Sequence, residues 1–266
     1  EKCLQSIVEN DYSKKHLEVF VVDGMSDDKT REIVRGFSDK HSYIQLLDNI
    51  KHVIPAALNI GIKAAKGEYI IRMDAHSTYK ENYISSCIER HQQYDVDNVG
   101  GVSITVPPKN TLIAQAITFT LSHPIGVGNS PFRVPAKTVR LVDTVAFGCY
   151  KKEVFEKIGL FNEALTRSQD MEFNTRLRKA GGRILLCPEI NAYYYSDGDL
   201  FTFAKHNFKD GIWAVYPLKF TKTLFRPRHY IPLITFILLV TLFLLSTISP
   251  IFSQLFSLAL MVFVVS

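Results

Sequence analysis

The chain has 266 residues, of which 47% are apolar, and a formal net charge of +5. This apolar content is enough for a large buried core and excludes a disordered chain. The charge is modest for this length, and Lys and Arg are spread along the chain, which argues against nucleic acid as a partner.

The first half of the chain alternates between strand-like and helix-like patterns. The opening residues "EKCLQSIVEND" read as a helix. Strand patterns, rich in β-branched and apolar residues, follow at 17–23, 43–48, 68–74 and 99–106. Helical patterns lie between them at 28–38, 54–66 and 80–93. This alternation predicts an α/β fold with a mostly parallel sheet and helices on both faces.

The patterns continue beyond residue 146. Residues 147–159 read as a strand and a short helix, and 168–182 as a clearer helix. Ser168 is the candidate N-cap of that helix, and the glycine pair at 181–182 ends it. Two further strands are predicted at 183–189 and 191–196.

An uncharged apolar run covers residues 231–248, is interrupted by Ser249-Pro250, and resumes to the end of the chain. Its length predicts a transmembrane hairpin at 230–266 that is cut short. The preceding segment, 200–229, mixes aromatic with basic residues and predicts either a helix in the membrane interface or an ordinary amphipathic core helix.

Basic residues cluster just before the apolar run, and no similar cluster separates its two halves. They are Lys219, Lys222, Arg226, Arg228 and His229. By the positive-inside tendency, this predicts an inner or plasma membrane protein with residues 1–228 in the cytoplasm. The four cysteines lack CxxC spacing, which indicates free thiols in a reducing compartment.

Acidic residues end two of the predicted strands, Asp23 in "VVDGMSDDKT" and Asp74 in "RMDAHSTY". Ligands of open α/β sheets bind at the carboxyl ends of strands, so both acids are candidate site residues. In an extended segment, Asp74 and His76 point the same way and could form half of a divalent-cation site. The alternative is that they are the polar start of a loop.

Three stretches together, "VDGMSDDKT", "ALNIGIKAAKGEYIIRMDAH" and "SQDMEFNTRLRKAG", resemble family 2 of the glycosyltransferases. The resemblance is to the GT-A type, and especially to membrane-bound exopolysaccharide enzymes of the succinoglycan biosynthesis type. It implies a Rossmann-like GT-A domain at 1–199. Members of that family begin with an apolar strand and a nucleotide-binding loop, which do not precede the first helix of this sequence.

The resemblance implies roles for particular residues. Asp23 maps onto the acid that contacts the nucleoside of the donor. The DxD motif maps onto residues 74–76, with His76 in place of the second acid, so Asp74 and His76 would bind the metal and Asp74 the donor. Asp170 maps onto the catalytic base, and Gln169 replaces the common Glu before it. Bases of this kind take the proton of the attacking acceptor hydroxyl.

Two further donor contacts are predicted from helical spacing, because Asn59 and Lys63 lie one turn apart on the same face. The metal is expected to be Mn²⁺ or Mg²⁺, and a histidine ligand suits Mn²⁺ better. It would neutralise the charge that builds on the departing diphosphate.

The sequence thus predicts an inverting, metal-dependent glycosyltransferase. It would move a sugar from a nucleotide-sugar, most simply a UDP-sugar, to a lipid-linked or polysaccharide acceptor in the synthesis of a cell-surface glycan. Two alternatives remain: a nucleotidyltransferase, for which no triphosphate loop is visible, and a degenerate membrane subunit without catalysis.

Overall fold

The computed structural model describes residues 1–124, 126–128, 130–134, 136–219 and 230–265. The chain divides into two compact units, Glu1–Ala204 and Lys205–Ser266. Of the basic cluster, residues 222–229 lie outside the described residues.

The strands of the first unit follow the apolar runs of the sequence. They are β1 (Val19–Asp23), β2 (Ile44–Asp48), β3 (Tyr69–Ile71), β4 (Ser77–Tyr79), β5 (Asn98–Val106), β6 (Arg140–Leu141), β7 (Ala146–Lys151) and β8 (Ile184–Tyr195). The prediction for 68–74 was too long, because the chain leaves the sheet after Ile71.

The helices confirm the predicted helical segments and add others. They are α1 (Lys2–Val8), α2 (Thr30–Lys40), α3 (Ile54–Ala64), α4 (Tyr83–Gln93), α5 (Leu112–Ser122), α6 (Glu153–Ile158), α7 (Gln169–Lys179), α8 (Leu200–Val215), α9 (Ile231–Ser246) and α10 (Pro250–Val265). Helix α5 was not predicted from the sequence, and its apolar residues are largely exposed.

The expectation of a mostly parallel sheet was wrong. Strands β1 and β2 form a parallel pair of their own, and the other strands form a mixed sheet in the order β3-β7-β5-β8-β4, with β6 on β8. In that sheet β5 runs parallel to β8, whereas the pairs β3–β7, β4–β8, β5–β7 and β6–β8 are antiparallel. Buried strands read as apolar runs whichever way they point, so the sequence pattern does not reveal strand direction.

Strand β8 joins the two segments that were predicted as separate strands. Its register with β5 shifts between Gly100 and Val102, so that residues 187–190 form a bulge around Pro188. A Cβ at Gly101 would lie 1.7 Å from the carbonyl oxygen of Ile190. The glycine is therefore required by the close approach of the two strands.

Two apolar clusters flank the mixed sheet. One includes Leu4 and Ile7 of α1, Cys87 of α4 and residues of β5, β7 and β8. The other packs Phe173 and Leu177 of α7 with residues of α6, β7 and β8. Burial of these side chains stabilises each helix against the sheet by roughly 1.5 to 3 kcal/mol per large residue.

The second unit contains α9 and α10, each of 16 uncharged residues. Helix α9 ends at Ser246, earlier than the apolar run predicted, because Thr247 and Ile248 lie in a turn. Sixteen residues rise about 24 Å, less than the roughly 30 Å hydrocarbon core. Within the described residues, no helix is both long and apolar enough to cross a membrane, and the predicted transmembrane hairpin is not supported.

Candidate active site

Asp74 lies in a tight reversal just beyond the end of β3. The amide of Ser77 donates to the carbonyl of Asp74 at 3.1 Å, and the chain returns as β4. The amide of Asp74 itself donates to the hydroxyl of buried Tyr79 at 2.7 Å. The thiol of Cys3 in α1 contacts the carbonyl oxygen of Asp74 at 3.6 Å. These bonds fix the backbone that carries the carboxylate.

Arg72 joins the two acids that the sequence analysis placed in the site. Its Nη2 donates to both carboxylate oxygens of Asp74, at 2.9 and 3.0 Å. Its Nη1 donates to Oδ2 of Asp170 at 3.3 Å. Asp74 and Asp170 are 96 positions apart in the sequence and belong to one ion cluster in the fold.

The cluster is partly buried and yet open to solvent. The exposed fractions of the side chains are 15% for Arg72, 24% for Asp74 and 33% for Asp170. Burial lowers the pKa of Arg72, but the carboxylates of Asp74 and then Asp170 raise it more, so the net pKa lies above its ordinary value. The guanidinium is therefore always charged here.

Asp170 lies in the first turn of α7. The helix begins at Gln169, after Ser168, which confirms the predicted start. Ser168 has φ of 58°, a left-handed conformation uncommon for residues other than glycine, and its side chain makes no capping bond. The turn directs Asp170 toward Arg72, and a carboxylate in the first turn is also favoured by the helix dipole.

Glu172, two positions on, has a structural role. It is 3% exposed and forms an ion pair with Arg176, with N–O distances of 2.8 and 3.0 Å. Arg176 also donates to the carbonyls of Ile158 and Leu160. The pair ties α7 to the loop that follows α6.

The prediction that His76 lies in an extended segment with Asp74 was wrong about the backbone, because the strand ends before Asp74. Ala75 and His76 are turn residues, so strand alternation does not set the directions of the Asp74 and His76 side chains. His76 is exposed, and its ring meets that of Tyr194 in β8 edge-on, with centroids 5.2 Å apart. Whether the imidazole binds a metal stays a prediction.

The residues present fit a metal ion that is shared with a substrate. Among the described residues, no group of three or more His, Cys, Asp or Glu side chains could hold an ion by itself. Asp74 offers a partly exposed carboxylate, and Mg²⁺ or Mn²⁺ in phosphate-binding sites takes one or two carboxylates together with phosphate oxygens and water. Asp74, with His76 nearby in sequence, matches that chemistry.

Asp23 belongs to a different network at the end of β1. Its carboxylate accepts from the amide and hydroxyl of Ser26 and from Arg31, and Arg31 also pairs with Asp48 at the end of β2. Burial raises the pKa of Asp23, but the bonds from Ser26 and Arg31 lower it more, and the carboxylate is ionised. Asp23 is only 5% exposed, and its bonds with Ser26 stabilise the turn after β1. The predicted contact with the donor would be made by this buried carboxylate.

The predicted contacts of Asn59 and Lys63 with the donor stay predictions, and the structure shows which partners Asn59 has within the chain. The Asn59 amide donates to the carbonyl of Phe161 at 2.9 Å and accepts from the amide of Phe161 at 3.0 Å. It also donates to Glu163, whose pKa is lowered chiefly by Lys51, then by Asn59, with Lys63 contributing. This face of α3 therefore fastens the loop before α7.

Two residues of the cluster were missed by the sequence analysis, Arg72 and Tyr79. Both lie in the quoted motif "RMDAHSTY", which was read only for metal ligands. An arginine two positions before an acid at a strand end could have been recognised as its partner. The role of Tyr79 depends on the turn, which the alternation pattern does not show.

Comparison with known sequences gives a family for this arrangement. The family described as "Glycosyl transferase family 2" matches residues 1–159. A dolichyl N-acetyl-alpha-D-glucosaminyl phosphate 3-beta-D-2,3-diacetamido-2,3-dideoxy-beta-D-glucuronosyltransferase of Methanococcus voltae is 29% identical over 79% of this chain and 67% of its own length. The succinoglycan biosynthesis protein ExoA of Rhizobium meliloti is 30% identical over 66% of this chain and 53% of its own. The chain thus spans between about half and two thirds of the length of these relatives.

Solved structures show the same fold. The mannosyltransferase PcManGT of Pyrobaculum calidifontis, in complex with GDP-Man and Mn²⁺, has a TM-score of 0.62 at 19% identity, over 86% of this chain and 62% of that one. S. aureus TarS 1–349 in complex with UDP-GlcNAc has a TM-score of 0.58 at 17% identity, over 80% of this chain and 61% of that one. The fold is therefore α/β and GT-A-like, with a mixed sheet and helices on both sides, and the chain belongs to glycosyl transferase family 2.

Proposed function

We propose that this chain is an inverting glycosyltransferase that moves a sugar from a nucleotide-sugar donor, most simply a UDP-sugar, to a hydroxyl of a lipid-linked or polysaccharide acceptor. The observation that carries the proposal is the cluster of Asp74, Arg72 and Asp170. It places two partly exposed carboxylates on either side of one guanidinium, one on the loop after β3 and one on the first turn of α7.

Asp170 acts as the general base. Its Oδ2 accepts from Arg72 and its Oδ1 from the amide of Met171, which leaves a lone pair on each oxygen for the acceptor hydroxyl. As the acceptor oxygen forms its bond to the anomeric carbon, its proton moves to Asp170. The bond from the anomeric carbon to the phosphate oxygen breaks, and its electron pair leaves with the nucleoside diphosphate.

Asp74 would hold the metal ion that binds the departing diphosphate. A carboxylate and a diphosphate repel each other, and a cation between them turns the repulsion into attraction. A divalent ion held by Asp74, with His76 as a proposed second ligand, would supply positive charge to the diphosphate as the sugar–phosphate bond breaks. Arg72 contributes a permanent positive charge within the same cluster.

Inversion is part of the proposal because a single displacement needs one base and no nucleophilic carboxylate. Within the described residues, Asp170 is the acid that contacts Arg72 from α7, and its neighbour Glu172 is buried against Arg176. Transfer with inversion puts the acceptor on the face opposite the diphosphate, and a two-step mechanism would require a second acid in reach of the anomeric carbon.

The acceptor and the membrane are proposed from the relatives and from the second unit. The Methanococcus voltae relative is named for a dolichyl phosphate-linked acceptor, and ExoA for succinoglycan biosynthesis. Helices α9 and α10 carry exposed apolar side chains, such as Phe236 and Leu258. Large exposed apolar surfaces mark protein or membrane contacts. We therefore propose a lipid-linked acceptor at a membrane, with the first unit on the cytoplasmic side.

A donor screen tests the proposal. Membranes that carry the complete protein would be incubated with UDP- and GDP-sugars and Mn²⁺ or Mg²⁺, with and without extracted lipid acceptors, and nucleoside diphosphate release would be measured. We expect release with one donor, stimulated by lipid extract and lost with Asp170→Asn. Release that is unchanged in Asp170→Asn would contradict the mechanism, and no release with any donor would point to a non-catalytic subunit.

A further inference from the structure

We propose that Arg72 is a positioning residue for catalysis, which sets Asp170 relative to the donor-binding acid Asp74. This inference rests on the proposed function. Its physical basis is that one planar guanidinium contacts both carboxylates, so the position of each depends on the other. A lysine, which is a point charge, could not hold two carboxylates in a fixed relation.

The position of Arg72 is well defined by the sheet. Its amide donates to the carbonyl of Gly148 in β7 at 3.1 Å, one step beyond the last paired residue of β3. The backbone of Gly148 packs closely against the side chain of Asn98, because a Cβ at Gly148 would lie 2.4 Å from Oδ1 of Asn98. The guanidinium therefore extends from a rigid part of the mixed sheet, which suits a side chain that must hold others in place.

The guanidinium bonds to the two carboxylates through its terminal nitrogens, while its Nε makes no hydrogen bond to any described residue. Its Nε is buried and has no hydrogen-bond partner in the described part of the chain. Leaving a buried donor unpaired costs on the order of 1 to 3 kcal/mol. The contacts with Asp74 and Asp170 offset that cost, which indicates that these two carboxylates determine where the guanidinium lies.

The reaction changes the charges on both sides of Arg72. When Asp170 accepts the acceptor's proton, its carboxylate becomes neutral and its pairing with Arg72 weakens. At the same time negative charge grows on the diphosphate on the Asp74 side. The contact with Arg72 therefore matters most before the proton moves, when it holds the carboxylate of Asp170 in place to receive that proton.

A double-mutant cycle tests the inference. Arg72→Met removes the charged guanidinium and keeps an unbranched apolar side chain, and Asp170→Asn removes the base. Displacement of a catalytic group by about 1 Å can lower a rate about 10²-fold, so we expect Arg72→Met alone to lower kcat by about 10 to 10²-fold. In the Asp170→Asn background it should lower kcat further by less than about threefold, since the two changes act through one group.

Two further measurements separate positioning from folding and from donor binding. Arg90→Met, which removes an arginine–carboxylate pair with Glu189 away from the cluster, is the matched control and should leave kcat unchanged. The Kd of UDP with Mn²⁺, measured by calorimetry, should change by less than about threefold in Arg72→Met, because the bonds with Tyr79 and Ser77 still hold the backbone of Asp74. Arg72→Lys should be intermediate in kcat, and if Arg72→Met does not fold, the cycle is run with Arg72→Lys.

The failures are distinguishable. If the wild-type protein transfers no sugar from any donor, the proposed function falls and this inference with it. If the wild type is active and the losses of Arg72→Met and Asp170→Asn multiply, Arg72 acts independently of Asp170 and only the inference falls. An Arg72→Lys variant as active as the wild type would show that activity does not require one guanidinium to contact both carboxylates, and the inference would fall.

Discussion

Asp170 and Asp74 differ in what surrounds them, and the surroundings determine what each can do. Asp170 accepts a single bond from Arg72 and one from the amide of Met171, on a helix turn with a third of the side chain exposed. Asp74 has both oxygens on Arg72 and a backbone held by Tyr79 and Cys3. The first arrangement suits a group that accepts a proton, and the second suits a fixed negative group beside a cation.

Replacement of Asp170 by Asn tests the base. Asparagine has the same shape and its oxygen can still accept from Arg72, but it does not take a proton at neutral pH. We expect kcat to fall by about 10² to 10⁴-fold with a nearly unchanged KM for the donor. Steady-state kinetics with the donor identified in the screen measures both. An equal loss in donor affinity and turnover would show that Asp170 is structural.

Variants at residues 74 and 76 test the metal site. Asp74→Asn removes the anionic ligand and should abolish transfer at any Mn²⁺ concentration. His76→Asp should keep activity and shift the preference toward Mg²⁺, because a hard ion favours oxygen over imidazole nitrogen. His76→Ala should be intermediate. Rates measured against Mg²⁺ and Mn²⁺ decide the question: His76 is not a ligand if both of its variants keep the parent's metal dependence.

At the scale of elements, the contact between β5 and β8 depends on small residues. Gly101 lies where the register shifts, against the backbone of Ile190. Strand β8 in turn carries Tyr194, which contacts His76, and pairs with β4 at the end of the Asp74 turn. A change in the packing of β5 against β8 would therefore alter the position of His76 and of β4 at the candidate site.

A pair of glycine variants tests this contact. Gly101→Ala should lower the free energy of unfolding by more than about 3 kcal/mol, or prevent folding, because its Cβ would overlap a backbone carbonyl that cannot move alone. Gly36→Ala in α2 is the control: a Cβ there has no neighbour within 4 Å, and alanine should stabilise the helix by about 0.5 to 1 kcal/mol. Urea denaturation measures both. A Gly101→Ala protein as stable as wild type would contradict the bulge geometry.

The sequence predicted the elements better than their arrangement. The position of α7 was correct because helix ends depend on local sequence: the chain turns at Ser168, although its side chain does not cap the helix, and Gly182 bonds back to Leu177 at the other end. The bonds of Asn59 to Phe161 and Glu163 were not predicted, because they join residues about 100 positions apart. The same applies to Arg72 and Asp170: spacing marks each residue but does not show that they meet.

At the scale of the whole molecule, a buried histidine links stability to pH. His91 in α4 is 6% exposed, its Nε2 is 2.8 Å from the carbonyl oxygen of Cys149, and its ring packs on Tyr69. Burial lowers the pKa of His91 below its ordinary value of 6.5, although the carbonyl of Cys149 partly opposes this. The folded protein therefore holds the imidazole neutral at pH values where the unfolded chain binds a proton.

The sign of the effect follows from this linkage. Above about pH 6.5 both states carry a neutral imidazole and the contribution is constant. As pH falls below that value, the unfolded chain binds more protons and the unfolding temperature should drop. The drop between pH 7 and 5 should be smaller in His91→Gln, while His16→Gln, at an exposed position, should follow wild type. Parallel curves for all three proteins would exclude His91 as the cause.

The burial of all four cysteines has a practical consequence for spectroscopy. Cys3, Cys87, Cys149 and Cys187 are each buried, and burial raises the pKa of Cys3 to about 11 and that of Cys187 to about 12. Thiol reagents attack the thiolate, so the native chain should label slowly. Cysteines introduced together at the exposed positions Lys80 and Lys179 could therefore be spin-labelled without removal of the native cysteines. Distances between such labels would report how the end of β4 and the far end of α7 respond when a nucleotide and Mn²⁺ are added.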